Sequence, residues 1–186
     1  MTLLAKICLL GDGKVGKTSL INRYLGKGFT SGYIPTLGSD FQSKLVSLDT
    51  KYGKKDLRFQ IWDLAGQLAF TQIRRTYYKG SAAAFLVFDL TRPKSLETLE
   101  RWLKEFSKNI ELSSTSIIVL GNKVDLIDEI KISSDIAKNY IDNRLINKFS
   151  NVDMQIDYYS TSAKTAENVD LAFSSLGEKI IDKLYQ

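Results

Sequence analysis

The sequence predicts an α/β fold, in which helices cover both faces of a doubly wound, mostly parallel sheet. Strand-like and helix-like segments alternate along all 186 residues, without repeats or low-complexity linkers. Two short apolar runs, Ala82–Asp89 and Ser116–Gly121, are typical of central parallel strands. In such sheets, ligands bind at the carboxyl ends of the strands. We expect one domain, residues 1–186, with six strands, one of them antiparallel, and five helices.

The first half of the chain supplies the antiparallel strand. A short apolar run at Leu4–Leu10 is typical of a buried strand, and Lys17–Leu25 has apolar residues at the i, i+4 spacing of a helix. Asp40–Leu48 and Leu57–Asp63 alternate in polarity, and Gly53 lies between them. We therefore expect these two segments to form a hairpin at one edge of the sheet.

The second half alternates in the same way. An apolar stripe over Leu96–Ile110 predicts a helix that Ser95 could cap. Ser133 is a candidate N-cap for the next helix, and Gln155–Tyr159 is the last predicted strand. A stripe over Val169–Ile180 predicts a C-terminal helix. Strands and helices therefore alternate to the end of the chain.

Composition excludes several classes of function. The chain has 26 basic and 21 acidic residues, a net charge of +5, a single Cys8 and no histidine. One cysteine excludes an internal disulfide, and the lack of histidine excludes histidine metal sites and His-dependent triads. The basic residues near Lys51 and Arg74 indicate solvated surface rather than a nucleic-acid site. We expect Cys8 to be a buried hydrophobe and the chemistry to depend on backbone amides, Lys, Asp, Asn, Gln and Thr.

The strongest motif lies between the first strand and the first helix. Residues 11–18, GDGKVGKT, fit the pattern G-x-x-x-x-G-K-[ST] of a phosphate-binding loop. Small residues let backbone N–H groups converge on phosphate oxygens at a helix N-terminus, where the dipole favours anions. Lys17 would neutralise the β- and γ-phosphates, and the Thr18 hydroxyl would bind Mg²⁺. The candidate nucleotide-binding residues here are Gly13, Lys14, Val15, Gly16, Lys17, Thr18 and Ser19.

A second motif, Asn122-Lys123-Val124-Asp125, follows the strand at 116–121 and selects the base. The Asp125 carboxylate can accept hydrogen bonds from N1–H and the 2-amino group of guanine. Adenine lacks both donors and would leave a buried carboxylate unpaired. Asn122 can brace the loops and reach the base, while the Lys123 methylenes cover its face. The motif favours a guanine-nucleotide protein over an adenine-nucleotide enzyme, which is the alternative.

With these motifs the chain resembles the Ras superfamily of small GTPases, and within it the Rab family most. The motifs in family order are the phosphate loop, Tyr33–Thr36, Asp63–Gln67, Asn122–Asp125 and Ser162–Lys164. The Rab-like stretches are LGSDF at 37–41, FQIWD at 59–63, YYKG at 77–80 and LVFDLT at 86–91. The resemblance implies a three-layer P-loop NTPase fold, the G domain. It also implies a switch that binds GTP or GDP with Mg²⁺ and slowly hydrolyses GTP, in membrane trafficking or signalling.

The resemblance assigns catalytic and metal-binding roles. Thr36 would join Thr18 on Mg²⁺ when a γ-phosphate is present, and Asp63 would hold the metal through a water. The Gly66 amide would bond to the γ-phosphate. Gln67 would orient the attacking water, beside Lys17 as the second catalytic residue. From the residues alone, Thr36 could instead end a loop and Gln67 could be a solvated loop residue.

The resemblance also assigns contacts around the base and the phosphates. Phe29 would pack edge-on against guanine, although it could also be a core aromatic. Tyr33 would close over the phosphates. The Ala163 amide would contact the guanine O6, within the nucleotide-binding motif Ser162, Ala163 and Lys164.

Partners follow from the same resemblance. Effectors, exchange factors and GTPase-activating proteins would contact Phe29–Phe41 and Asp63–Tyr78 of a monomer. Nothing resembles an arginine supplied in cis, so intrinsic hydrolysis should be slow. Leu68 replaces the usual glutamate that helps exchange factors, which puts that route of exchange in doubt. Lys14 replaces a small residue, and it could tighten nucleotide binding or point to solvent.

The ending of the chain leaves membrane association open. No cysteine lies near Gln186, where Rab proteins normally carry prenylated cysteines, so we expect no lipid anchor in this chain. Several explanations of this ending stay open. The tail could have been removed, the protein could reach membranes through a basic surface or a partner, or it could be absent from membranes. An organism without prenylation, such as an archaeon, would also explain it. We expect a cytoplasmic protein, with a peripheral position at membranes left open. A GTP-binding interaction module with negligible hydrolysis is the alternative function.

Overall fold

The computed structural model describes residues 2–32, 35–36, 38–67, 71–149 and 154–185. Its strands are β1 (Thr2–Leu10), β2 (Ser39–Thr50), β3 (Gly53–Leu64), β4 (Ala83–Asp89), β5 (Ser116–Asn122) and β6 (Ile156–Thr161). Its helices are α1 (Lys17–Tyr24), α2 (Thr71–Tyr78), α3 (Pro93–Glu97), α4 (Leu99–Ser107), α5 (Ser134–Tyr140) and α6 (Val169–Tyr185). A π-helical segment at Ile141–Ile146 continues α5.

The six strands form one sheet in the order β2-β3-β1-β4-β5-β6. β2 pairs antiparallel with β3, and the other pairs are parallel. This arrangement confirms the expected fold class. Every residue of β4 and β5 is buried, as expected of central parallel strands. The parallel strands therefore bring their carboxyl ends, near Leu10, Leu64, Asp89, Asn122 and Thr161, to one edge of the sheet.

Helices cover both faces and give three layers. On one face α1 and α6 pack together, with the Tyr24 and Phe173 rings stacked 3.7 Å apart between centroids. On the other face Trp102 and Phe106 of α4 lie in a core with Tyr78 of α2. Among the described residues, no helix combines the length and the apolar character needed to cross a membrane.

The helix predicted over residues 96–110 begins earlier than its apolar stripe. Thr98 keeps helical dihedral angles (φ −81°, ψ −11°) and joins α3 to α4, so the two count as one of the five expected helices. The suggestion that Ser95 caps this helix is wrong. Ser95 lies inside α3, where its hydroxyl donates to the Arg92 carbonyl at 2.7 Å and accepts from the Asp89 N–H at 2.9 Å. Ser133 does cap α5, accepting from the Ile136 N–H at 3.3 Å.

The hairpin is longer than the sequence predicted. β2 and β3 extend to a two-residue turn, Lys51 and Tyr52, instead of a longer loop. The turn packs on α6, because Tyr52 stacks on Tyr185 at 5.0 Å between centroids and Lys51 pairs with Asp182 at 3.2 Å. These contacts with α6 hold the turn in place, so that both strands stay paired up to it.

Candidate functional site

A cavity of about 710 Å³ opens at the carboxyl edge of the sheet. This volume lies within the range of small-molecule sites. The sequence-predicted residues that line it are Gly13, Lys14, Gly16, Lys17, Thr18, Ser19, Phe29, Thr36, Gly66, Gln67, Asn122, Lys123, Asp125, Ala163 and Lys164. Its other lining residues are Asn22, Gly28, Thr30, Ser31, Gly32 and Leu126. Tyr33 and Leu68 lie outside the described residues.

The loop between β1 and α1 curls around the Lys17 ammonium group. The Lys17 Nζ donates to the carbonyl oxygens of Gly11 at 2.7 Å and Asp12 at 3.0 Å. Burial disfavours the charged amine and lowers the pKa of Lys17 to about 8, although Asp63 and Asp12 oppose this shift. A bound phosphate would oppose it further. The geometry therefore holds a cation beneath a loop that begins a helix, as phosphate binding requires.

Two residues of this loop, Gly16 and Val15, lie against the Asn122 side chain. Gly16 has a φ of 101°, and a Cβ atom there would lie 2.2 Å from the Asn122 Nδ2. Val15 is fully buried and does not line the cavity, but its carbonyl accepts from Asn122 Nδ2 at 2.9 Å. Asn122 thus braces the phosphate loop from the end of β5, as the sequence suggested.

Three oxygen-bearing side chains meet beside this loop. The Thr18 hydroxyl donates to Asp63 Oδ2, and it lies 3.1 Å from the Thr36 hydroxyl. The Asp63 Oδ1 is buried and has no hydrogen-bond partner among the described residues. Burial raises the pKa of Asp63, with the Thr18 hydrogen bond and Lys17 opposing. Hydroxyl and carboxylate oxygens are ligands that Mg²⁺ prefers, so the residues present fit that ion.

The base-selecting motif lies at the opposite end of the cavity. The Ser162 hydroxyl donates to Asp125 Oδ1 at 2.6 Å and accepts from the backbone N–H groups of Lys164 and Thr165. Ser162 is fully buried and does not line the cavity, so it acts on the site through Asp125. The Ala163 N–H donates to Asn122 Oδ1 at 3.3 Å. The loops after β5 and β6 are therefore locked together.

Sequence reasoning missed two residues that support this end of the site. Asp89, buried at the end of β4, accepts from Lys123 Nζ at 2.6 Å and from Arg92 Nε at 3.0 Å. Arg92 also donates to the Gly13 carbonyl at 3.0 Å. Burial raises the pKa of Asp89, but the hydrogen bonds from Lys123 and Thr91 outweigh it and lower the pKa overall. The sequence did offer one indication of this role, because Asp89 ends a predicted strand at the edge of the sheet where ligands bind.

Gly66 and Gln67 approach the phosphate loop from β3. A Cβ atom on Gly66 would lie 2.5 Å from the backbone of both Asp12 and Gly13, so only glycine fits this contact. Gln67 is exposed at the cavity. Behind them, Arg74 donates to the carbonyl oxygens of Ala65 and Gln67, a contact that the sequence did not indicate.

The exposure of one aromatic candidate, Phe29, and one basic candidate, Lys14, shows where they lie in the site. Phe29 is 43% exposed and lines the cavity, which argues against the alternative of a core aromatic. Lys14 is exposed, has a φ of 68° and also lines the cavity. Both residues therefore lie at the mouth of the site.

Comparison with known proteins gives the same family over nearly the whole chain. The family model of the Ras family matches residues 6–182. Ras-related protein Rab-13 of Rattus norvegicus is 38% identical over 180 residues, which are 97% of this chain and 81% of the relative. Ras-related protein Rab-8B of Homo sapiens is 35% identical over 181 residues, 97% of this chain and 80% of the relative. Ras-related protein Rab-2B of Dictyostelium discoideum is also 35% identical, over 97% of this chain and 82% of the relative.

Proposed function

Because the chain belongs to the Ras family, as a Rab-like small GTPase switch that binds GTP and GDP and hydrolyses GTP, we propose that its cycle depends on Mg²⁺ and that its intrinsic hydrolysis is slow. The observation that carries this proposal is the convergence of the family motifs on one cavity. The cluster of Thr18, Thr36 and Asp63 oxygens supports the metal.

The chain's own residues have distinct tasks in this reaction. Thr18, Thr36 and Asp63 would hold Mg²⁺, which offsets negative charge on the β- and γ-phosphates. Lys17 adds positive charge beside the same phosphates. Gln67 orients the water for in-line attack, and the Gly66 amide donates to the γ-phosphate.

Slow turnover follows from what the cavity lacks. Among the described residues that line it, the cations are lysines and none is an arginine. Enzymes of this type turn over at about 10⁻⁴ to 10⁻³ s⁻¹ without an arginine finger and at about 10⁻² s⁻¹ with an arginine in cis, so we expect an intrinsic rate on the order of 10⁻⁴ to 10⁻² s⁻¹. A partner that inserts an arginine would accelerate hydrolysis greatly. The γ-phosphate contacts of Thr36 and Gly66 order two loops, and hydrolysis releases them.

Proteins that recognise the GTP-bound state would contact the surface between the loops that carry Thr36 and Gly66. Phe41, Trp62 and Tyr77 form an aromatic row with centroid separations of 5.2 and 4.8 Å. Phe41 is 46% exposed, which suits an apolar protein contact. We assign effectors, exchange factors and GTPase-activating proteins to Phe29–Phe41 and Asp63–Tyr78 of a monomer. The resemblance extends this proposal to trafficking or signalling in the cytoplasm and at membrane surfaces.

The first test identifies the nucleotide released when protein purified without added nucleotide is denatured. Stoichiometric GDP supports guanine binding with hydrolysis. Retained GTP supports the alternative, an interaction module with negligible hydrolysis. Adenine nucleotide would overturn the assignment of the base.

The second test measures single-turnover hydrolysis of preloaded GTP. We expect Gln67→Leu to be slower than wild type by about 10-fold or more, because leucine cannot orient water. The exposed Gln72 on α2 gives a matched control, Gln72→Leu, which should keep the wild-type rate. Equal rates for wild type and Gln67→Leu would remove the catalytic role of Gln67.

A further inference from the structure

We propose that Arg74 is a positioning residue for the loop at residues 65–67, which carries the proposed catalytic Gln67, and that Glu105 of α4 holds Arg74 in place. This inference rests on the proposed role of Gln67 in hydrolysis. It concerns a residue that lies outside the motifs of the site and does not line the cavity. Its side chain is 1% exposed, so it acts through the loop and not on the nucleotide.

Among the described residues, the Arg74 guanidinium has partners on two sides. Toward the site, Nη1 donates to the carbonyl oxygens of Ala65 at 2.9 Å and Gln67 at 2.6 Å. Away from the site, Nε and Nη2 donate to the two carboxylate oxygens of Glu105, each at 3.1 Å. The Tyr78 hydroxyl donates to the same carboxylate at 2.7 Å. A planar guanidinium held at both oxygens of a carboxylate has a fixed direction.

The two carbonyls that Arg74 binds lie on either side of Gly66 in the chain. The Ala65 carbonyl belongs to the same peptide group as the Gly66 N–H that is assigned to the γ-phosphate, and the Gln67 carbonyl belongs to the peptide group that follows the Gln67 Cα. Fixing these two peptide groups limits the rotation of the segment between them, which carries the Gly66 amide and the Gln67 side chain. Since a misplacement of about 1 Å can reduce a rate about 100-fold, these two hydrogen bonds bear directly on hydrolysis.

Helix α4, which carries Glu105, also holds the phosphate loop. The Arg74 guanidinium lies over the Trp102 ring, 4.5 Å from its centroid, and the Trp102 Nε1 donates to Asp12 Oδ1 at 2.8 Å. Arg74 and Asp12 are therefore both fixed to α4. This geometry sets the distance between Gln67 and the phosphate loop from behind, without any contact to the nucleotide.

Stability alone does not explain this arrangement. A buried ion pair loses hydration that its Coulomb energy only roughly repays, so apolar replacements of similar volume are often neutral or stabilising. A pair with two backbone carbonyls as additional acceptors is instead suited to hold a loop in one conformation. The double variant Arg74→Met/Glu105→Leu separates the two roles, because it fills the same space with apolar side chains and removes the hydrogen bonds to the loop. It also removes the acceptor of the Tyr78 hydroxyl, so its thermal unfolding is compared with its hydrolysis rate.

The test compares Arg74→Lys and Arg74→Met/Glu105→Leu with wild type. Arg144→Lys is the matched control, because Arg144 is exposed and lies outside the cavity and the partner surface. Single-turnover hydrolysis of preloaded GTP, GDP dissociation, thermal unfolding and hydrogen exchange at Gly66 and Gln67 are measured for each. We expect both variants to hydrolyse GTP about 10- to 100-fold more slowly, with GDP dissociation within about 3-fold of wild type. Exchange should increase at these two amides and not in β4 or β5.

Specific outcomes would overturn the proposal. If the double variant is folded, binds GDP and hydrolyses GTP at the wild-type rate, Arg74 is only a core residue. Unchanged exchange at Gly66 and Gln67 in both variants has the same meaning. If wild type hydrolyses GTP no faster than Gln67→Leu, the proposed function of Gln67 fails instead, and the exchange data alone decide whether Arg74 holds the loop.

Discussion

At the scale of single residues, three aspartates at the carboxyl edge of the sheet differ in their surroundings. Asp63 keeps a buried oxygen without a hydrogen-bond partner among the described residues, which suits a metal ligand or a metal-bound water. Asp89 is bound by two cations and ties Lys123 to the phosphate loop through Arg92. Asp125 accepts from Ser162 with one oxygen and faces the cavity, as base recognition needs.

Asp125→Asn should change the base that the site prefers. Asparagine offers a donor where the carboxylate offers only acceptors, so the N1–H and 2-amino group of guanine lose their partner. Xanthine has a carbonyl at that position and gains one. We expect GDP affinity to fall by at least about 100-fold and xanthosine diphosphate affinity to rise, as measured by competition binding. Asp128→Asn, an exposed residue three positions on, is the control, and equal preferences in both variants would contradict the assignment.

Cys8 should be inert in the folded protein. Burial raises the pKa of this thiol from 9.0 to about 11, although a hydrogen bond with Ser81 opposes the shift. A thiol reagent at about pH 8 should therefore react only after unfolding, because the thiolate is the nucleophile.

The same pKa shift predicts a loss of stability at alkaline pH. The unfolded chain releases the Cys8 proton near pH 9.0, while the folded chain keeps it until about pH 11. The stabilising contribution is therefore complete below pH 9.0, and roughly 3 kcal/mol of it is lost as the pH rises to about 11. Denaturant unfolding of wild type and Cys8→Ala at several pH values measures it. Parallel pH profiles for the two proteins would contradict this prediction.

At the scale of elements, α4 is the support on which the phosphate loop rests. Asp12 accepts from the Thr98 hydroxyl at 2.9 Å, from Arg101 at 2.9 Å and from Trp102 Nε1 at 2.8 Å. Removing the carboxylate leaves the indole N–H of a buried tryptophan without its acceptor. The start of the helix and the loop before α1 are therefore coupled.

Asp12→Ala should destabilise the GDP-bound protein by about 1 to 3 kcal/mol, the usual range for a buried donor left unpaired. Urea unfolding with saturating GDP measures this loss. Arg101→Ala is the comparison, because Arg101 is half-exposed and its ion pair should contribute less than about 1 kcal/mol. A similar loss in both variants would place the effect in the ion pair and not in the Trp102 hydrogen bond.

The elements also show how far the sequence could predict this molecule. Apolar runs located β4 and β5, and the motifs located the cavity, because both signals lie within a few consecutive residues. The pairing of Arg74 with Glu105 joins positions 31 residues apart and follows no local pattern. Ser95 was misplaced because its side chain satisfies Asp89 and not a helix end. Apolar periodicity does not predict polar side-chain contacts of this kind.

At the scale of the whole molecule, the proposed Mg²⁺ site would couple metal binding, nucleotide binding and stability. A ligand that binds only the folded state stabilises that state by mass action. Chelating Mg²⁺ with EDTA should accelerate GDP release and lower the melting temperature of the GDP form, because the Asp63 carboxylate and the phosphates lose their shared cation. Adding Mg²⁺ back should restore both values. Thr18→Ala should respond less to EDTA than wild type, and an equal response would remove Thr18 from the metal site.

The position of the base-binding loops in the sheet has a consequence for protein synthesis. The phosphate loop leaves the ribosome early, at residues 11–18, whereas the proposed base contacts come from 122–125 and 162–164. β1, which precedes the phosphate loop, lies between β3 and β4 in the sheet. A nascent chain therefore has no complete site for guanine until residue 164 has been translated. Nucleotide can then bind only once these late segments have joined the sheet, and its binding would stabilise the completed fold by mass action.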